Sequence, residues 1–235
     1  MKKIIFQPKD MVAGLLQGFP KKAVAFIPDW YKSMSPFVGD KKKFFWPGDG
    51  TTPSAIKKCI PFLDAMTVGY TVYTAAEILV VKDENGIQVH YMHKERKLID
   101  GHPAEQYKGM NIPPEYISEF AFKWQSYWTI KAPKGYSIFF THPINRMDLP
   151  FFTLSGFVDS DSYNAAVNFP FFLRRDFEGI IPIGTPIAQF FPVKREKWVS
   201  EVKEFDEKKS LKDLHMPNTF IDFYKKNFWV RKDYS

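Results

Sequence analysis

Residues 128–193 read WTIKAPKGYSIFFTHPINRMDLPFFTLSGFVDSDSYNAAVNFPFFLRRDFEGIIPIGTPIAQFFPV, and this stretch decides how the chain folds. Runs rich in β-branched and aromatic residues recur in it at short spacing: 128–131, 136–141, 151–158, 166–172, 179–183 and 186–193. Turn chemistry separates them, as Pro133-Lys134-Gly135, residues 143–148, 159–163 and 174–177, and Ile183-Gly184-Thr185. Gly184 stands where a turn calls for positive φ. Short strands and turns in such regular succession are the pattern of an antiparallel sandwich or barrel. The Phe runs at 151–152, 169–172 and 190–191 alternate poorly, which places them against cover on both faces or at a subunit interface.

Upstream, residues 1–50 read as an irregular region with a short strand at 23–27 and the aromatics Phe44, Phe45 and Trp46 plugging a loop onto the core. Thr52-Pro53-Ser54 has the chemistry of a helical start. Strands are expected at 70–74 and 77–81, the second turning through Asn85-Gly86 into 88–92. A short helix is expected at 115–122. Downstream, residues 195–213 carry both charge signs, with Trp198, Val199, Val202, Phe205 and Leu211 mostly at helical spacing, so an exposed amphipathic helix is expected, then a second over 217–226. The fold class is therefore mainly β, with three parts: a loop-rich region with a hairpin at 1–127, a β core at 128–195 and a charged helical extension at 196–235.

Composition bounds the function. With 24 Phe, 18 Pro and 13 Gly, the chain suits many short elements rather than a long helical bundle. Its single Cys59 excludes an intramolecular disulfide and a cysteine-rich zinc site, and fits a reducing compartment. The first 19 residues are broken by Gln7, Pro8, Lys9 and Asp10, unlike a signal peptide, and no window reads as a membrane span, so a cytoplasmic location is expected, in the host cytoplasm if the chain is phage-encoded. Net charge is +7. The basic residues are dispersed, which argues against a nucleic-acid surface and reads mostly as solvated surface; the expected partner is a nucleotide or small anionic ligand. His90 and His93, three apart on a strand, face opposite ways and do not suit joint metal binding.

Two resemblances follow from these residues. Ile27-Pro28-Asp29-Trp30, residues 56–64 and most of 128–198 resemble a family of phage and bacterial proteins with no assigned activity, with Pro-Lys-Gly-Tyr-Ser at 133–137, Thr-His-Pro-Ile-Asn-Arg at 141–146 and Gly-Thr-Pro-Ile-Ala-Gln at 184–189 the weightiest pieces. Separately, Gly156-Phe157-Val158-Asp159-Ser160-Asp161-Ser162-Tyr163 is similar to the Gly-x-Ile-Asp-x-Asp-Tyr motif of dUTPases. Residues 180–189 are similar to the Gly-x-x-Ile-Ala-Gln strand that dUTPases share with dCTP deaminases. This second resemblance implies a distorted β-barrel, or β-clip, assembled as a trimer, with magnesium carried only if the ligand is a nucleotide triphosphate. It implies that Asp159 orients an attacking water, that Tyr163 packs on deoxyribose and that Gln189 lies near the phosphates. Ser162 is an extra residue relative to that motif, and residues 143–146 replace its phosphate-binding turn, so the implied ligand differs from dUTP.

The residues themselves leave alternatives open. Asp159 and Asp161 suit action on a nucleotide or oxygen ligation of a cation, and equally suit turn chemistry in which carboxylates accept backbone N–H bonds. His142 suits an acid, base or metal ligand, and Asn145 and Arg146 suit an anion clamp; an Arg146–Asp148 pair would instead stiffen their loop. Catalytic candidates are thus Asp159 and His142, and ligand-binding candidates Asn145, Arg146, Asp161, Tyr163 and Gln189, with no metal-ligand spacing. The expected function is nucleotide binding or hydrolysis; the rivals are a non-catalytic phage structural or interaction protein and a jelly-roll metalloenzyme centred on His142.

Overall fold

The computed structural model describes residues 2–37, 55–84, 86–93, 96–117, 119–207 and 223–234. The chain forms two compact units, one made of Met1–Phe26 with Val68–Arg195 and the other of Ile27–Thr67 with Glu196–Ser235.

In the first unit the strands are β1 (Ile5–Pro8), β2 (Lys21–Lys22), β3 (Tyr70–Tyr73), β4 (Ile78–Asp83), β5 (Gly86–Tyr91), β6 (Ile99–Pro103), β7 (Phe120–Trp124), β8 (Trp128–Lys131), β9 (Tyr136–Thr141), β10 (Phe151–Thr153), β11 (Gly156–Val158), β12 (Phe169–Leu173), β13 (Gly179–Ile181) and β14 (Pro186–Lys194). A helix, α1 (Met11–Leu16), follows β1 and is capped by Asp10, whose side chain accepts from the Ala13 N–H. The described strands pair antiparallel in four sheets: β11-β9-β14-β3-β2, β10-β12-β7-β6, β13-β4-β5 and β1-β8. The mainly β class is as expected. A closed barrel is not found, since none of these sheets closes on itself and the strands divide among four open ones.

β14 is the longest strand among the described residues and is bonded along both edges, to β9 and to β3. Its neighbour β9 shows the period that builds the core: Ile138 and Phe140 are buried on one face, while Phe139 and Thr141 are half-exposed on the other. The centre of the core is aromatic. Trp124 stacks on Phe171 with ring centroids 3.8 Å apart, Phe122 stacks on the same ring at 5.5 Å, and Phe151 meets Trp124 edge-on at 5.0 Å. Cross-strand register supplies these contacts, because Phe169 lies opposite Trp124 and Phe171 opposite Phe122.

That register corrects the helix expected over 115–122. Phe120, Phe122 and Trp124 fall on one face of β7 at period two, and burial of Phe122 and Trp124 against Phe171 outweighs local helical preference. The run at 151–158 is two strands rather than one: β10 belongs to the four-stranded sheet, β11 to the five-stranded, and residues 154–155 carry the chain between them. The strand expected at 23–27 is a 3-10 turn, Ala23–Phe26, because β2 pairs with β3 for only two residues. The hairpin β4–β5 forms, with Asn85 outside the described residues. Gly184 has φ 83°, the conformation its turn was expected to need.

Among the described residues the second unit has the helices α2 (Asp29–Ser33), α3 (Ile60–Thr67) and α4 (Phe223–Asn227). Tyr31 stacks on Phe62, and its hydroxyl donates to the Lys57 carbonyl at 3.2 Å. The Asp64 carboxylate accepts from Trp229 Nε1 at 2.9 Å and from Lys232 Nζ at 2.6 Å, which ties the segment after α4 to α3. Of the helix expected over 195–213, residues 196–206 carry no helix, with Trp198, Val199, Val202 and Phe205 exposed; Glu207 is helical and residues 208–213 lie outside the described residues. An amphipathic segment gains its helix by burying its apolar face, and these side chains have no burial to gain from it. Leu211, Phe44, Phe45, Trp46 and residues 52–54 lie outside the described residues.

Removing the ring at the centre of the core tests this packing. Phe171→Ala is expected to lower unfolding free energy by about 3–5 kcal/mol, read from chemical denaturation.

Candidate functional site

Strand β9 separates the candidate residues into two groups. Asp159 and Asp161 lie beyond its first residues, since Val158 is opposite Ile138 and the Asp159 Oδ1 accepts from Ser137 Oγ at 2.6 Å. His142 follows the other end of the strand, and Gln189 is opposite Thr141. Five residues of extended chain from Ser137 to His142 span roughly 17 Å. Asp159, Asp161 and Tyr163 therefore do not share a site with His142, Asn145, Arg146 and Gln189.

The first group is built around Arg195, the residue immediately after β14. Its guanidinium donates to Asp159 Oδ1 at 3.1 Å and to Asp161 Oδ1 at 3.1 Å, and a further N–H bonds Asp161 Oδ2. The same guanidinium reaches the Tyr136 carbonyl at 3.2 Å and Ser137 Oγ at 3.3 Å. Asp161 also accepts the Gly135 N–H at 2.8 Å, in a turn where Gly135 takes φ 84°. Its side chain is 9% exposed, and the Arg195 guanidinium, then the Gly135 N–H, hold its carboxyl at about 2, below the usual 3.8. The Asp159 carbonyl accepts from Ser162 N at 3.0 Å and Tyr163 N at 2.9 Å, so a compact turn absorbs the added Ser162. The Tyr163 ring is exposed.

The second group is a loop locked from several sides. His142 Nδ1 accepts from the Thr153 N–H at 3.3 Å, which leaves Nε2 to donate to the Arg146 carbonyl at 2.9 Å. Its ring stacks on Phe152 at 5.0 Å. Burial, as the leading cause, lowers its pKa below 6.5, so the ring is neutral at neutral pH. Arg146 forks onto Asp148 with contacts of 2.9, 3.2 and 2.9 Å and donates to the Phe26 carbonyl at 3.1 Å. Asn145 holds the loop's left-handed position, φ 61°. Gln189, 2% exposed, accepts the Ile144 N–H at 2.9 Å and donates to the Val68 carbonyl at 2.8 Å.

Comparison with known proteins adds little to this geometry. No protein-family model matches the chain, and no curated protein matches it. The resemblance to an uncharacterised phage and bacterial family is thus not carried by any family model. Among solved structures, the chain is similar to a mutant dUTPase from phage phi11 of S. aureus at 13% identity and a TM-score of 0.30, over 59% of this chain and 83% of that one. A likeness that slight transfers no residue roles, and the architecture rests on the strand pairings themselves.

Among the described residues, no group of three or more His, Cys, Asp or Glu side chains is placed to hold a metal ion. No helix of the described residues is long and apolar enough to cross a membrane. The residue that sequence reasoning passed over is Arg195, read as the first member of a solvated charge run. Its signal was position: Lys194-Arg195 closes a long β-prone run, so the arginine stands at the strand's end, level with the turns of its neighbours.

Two outcomes follow from these ties. Gln189→Leu leaves the Ile144 N–H and Val68 carbonyl without their partner and is expected to cost about 1–3 kcal/mol in denaturant unfolding, both groups being only partly shielded from water. Asp161 contributes stability that is complete above its unfolded pKa near 3.8 and is lost as pH falls toward about 2. Asp161→Asn should therefore flatten the acid limb of stability over that window, measured as melting temperature against pH.

Proposed function

We propose that this protein binds a small anionic ligand without hydrolysing it, and that the acids of the 156–163 motif hold the scaffold rather than activate water. The carrying observation is the closure of that motif by Arg195, whose guanidinium bonds both Asp159 and Asp161. A general base must present a carboxylate oxygen to a water poised at the substrate. Here both oxygens of Asp161 serve Gly135 and Arg195, and Asp159, its side chain 66% exposed, is held through Oδ1 by Ser137 and Arg195. His142, the other catalytic candidate, has both ring nitrogens bonded within the chain and lies a strand's length away.

The anionic preference is supported by the net charge of +7, which attracts negative solutes over a Debye length. The similarity of residues 156–163 to a dUTPase motif makes a nucleotide one member of the class. In this reading Arg146 and Gln189 order the 143–148 loop.

Incubation with dUTP, dCTP and other nucleoside triphosphates in the presence of magnesium tests the reading. Turnover is expected to stay at the buffer rate, and Asp159→Asn is expected to change melting temperature without changing that rate. Phosphate or pyrophosphate release that Asp159→Asn abolishes would overturn it.

A further inference from the structure

The ribbon β1-β8 has a polar face that none of the motifs explains. Gln7 lies directly opposite Thr129, and these two side chains share one face at the centre of the ribbon. Lys131 is two residues beyond Thr129 on the same face, and Lys9 is two residues beyond Gln7, its N–H bonded to the Tyr127 carbonyl at 2.8 Å. Because the strands run antiparallel, the lysines flank the Gln7–Thr129 pair from opposite sides, each about 6–7 Å along its strand. Residues 164–168, the continuation of the turn that Arg195 clamps, form the opposing wall, and Gln125 completes a groove of about 420 Å³.

The chemistry of this groove is one-sided. Its lining carries two ammonium groups, four carboxamides and a hydroxyl, and no carboxylate. Neither lysine forms a salt bridge with a described residue, and Lys9 acts on its neighbour Asp10 only through space. The neighbouring acid, Asp10, is committed to the Ala13 N–H and to Arg96, both at 2.7 Å. Asn168 uses its Oδ1 on the Ser126 N–H at 3.4 Å, leaving its NH₂ donors unused within the described residues. Gln7, Gln125 and Asn164 likewise have side-chain amides with no partner among them. No aromatic side chain lines the groove, so it offers no platform for stacking a base.

We propose that this groove is a binding site for a phosphomonoester of a polyhydroxylated body, such as a sugar phosphate. The phosphate sits over the Gln7–Thr129 pair, where Thr129 Oγ1 and the two flexible lysine stems converge. The carboxamides of Gln125, Asn164 and Asn168, each both donor and acceptor, meet the hydroxyls of the body. The assignment rests on the binding reading given above and narrows it away from nucleotides.

Titration of the full chain with a hexose phosphate, followed by amide and side-chain NMR shifts, is the test, with the free hexose, the matching sugar acid, inorganic phosphate and dUMP as comparison probes. Saturable shifts confined to residues 7–9, 125–131 and 164–168 are expected, with the hexose phosphate bound most tightly. Lys9→Met and Lys131→Met should each weaken it roughly tenfold at unchanged melting temperature, and added salt should weaken it further. The assignment is overturned if no phosphate-bearing probe saturates the groove, if both substitutions leave binding intact, or if the free hexose, the sugar acid or dUMP binds as tightly. Hydrolysis of the bound ester would overturn the non-hydrolytic reading while leaving the groove assigned, so the two failures are distinguishable.

Discussion

Hydrogen bonding along both edges of β14 is the constraint on which the first unit depends. A strand paired on two sides has no freedom to slip, because Pro186–Phe190 is buried on both faces and a one-residue shift would put Gln189 where Phe190 packs and break two ladders together. Each end of the strand then carries a polar tie. Gln189 near the first part bonds the chain before β3 and the loop after β9. Arg195, just past the last residue, bonds the start of β9 and the turn after β11. Two side chains fixed by one strand thus tie four segments of the surrounding structure.

This arrangement gives the polar residues of the 156–163 motif a mechanical role. Asp161 and Asp159 draw the guanidinium down onto the 133–137 and 159–163 turns, and the left-handed Gly135 turns its N–H toward the same carboxylate. Residues 164–168 leave that anchored turn directly and face the β1-β8 ribbon across the groove. The clamp and the groove are therefore consecutive in the chain: one holds the start of the wall that the other uses. Neither Asp159 nor Asp161 lines the groove, and Arg195 offsets one of their two negative charges.

Local chemistry made several parts of the fold legible. The boundaries of β8 and β9 follow from their β-prone runs and the Pro-Lys-Gly turn, and Gly184 takes the positive φ its turn demanded. The Arg146–Asp148 pair, weighed from the sequence as a stiffener of the loop, forms as a fork. Elements whose identity depended on distant partners were misread. β7 resembles a helix until Phe171 is placed opposite Phe122, and residues 151–158 look like one strand until their two halves enter different sheets.

By itself, then, the sequence determined a mainly β chain, with its turns, its positive charge and its polar loops, because strand period, turn conformation and composition are encoded within a few residues of one another. Tertiary structure alone decided which polar groups meet. Whether Asp159 faces a substrate or an arginine depends on Arg195, thirty-six positions away in sequence, arriving at the end of β14. Whether Lys9 and Lys131 matter depends on β1 pairing with β8 across more than a hundred residues. Such contacts arise from register between strands and from the closure of the aromatic core around Trp124 and Phe171, and no short window of sequence contains both partners.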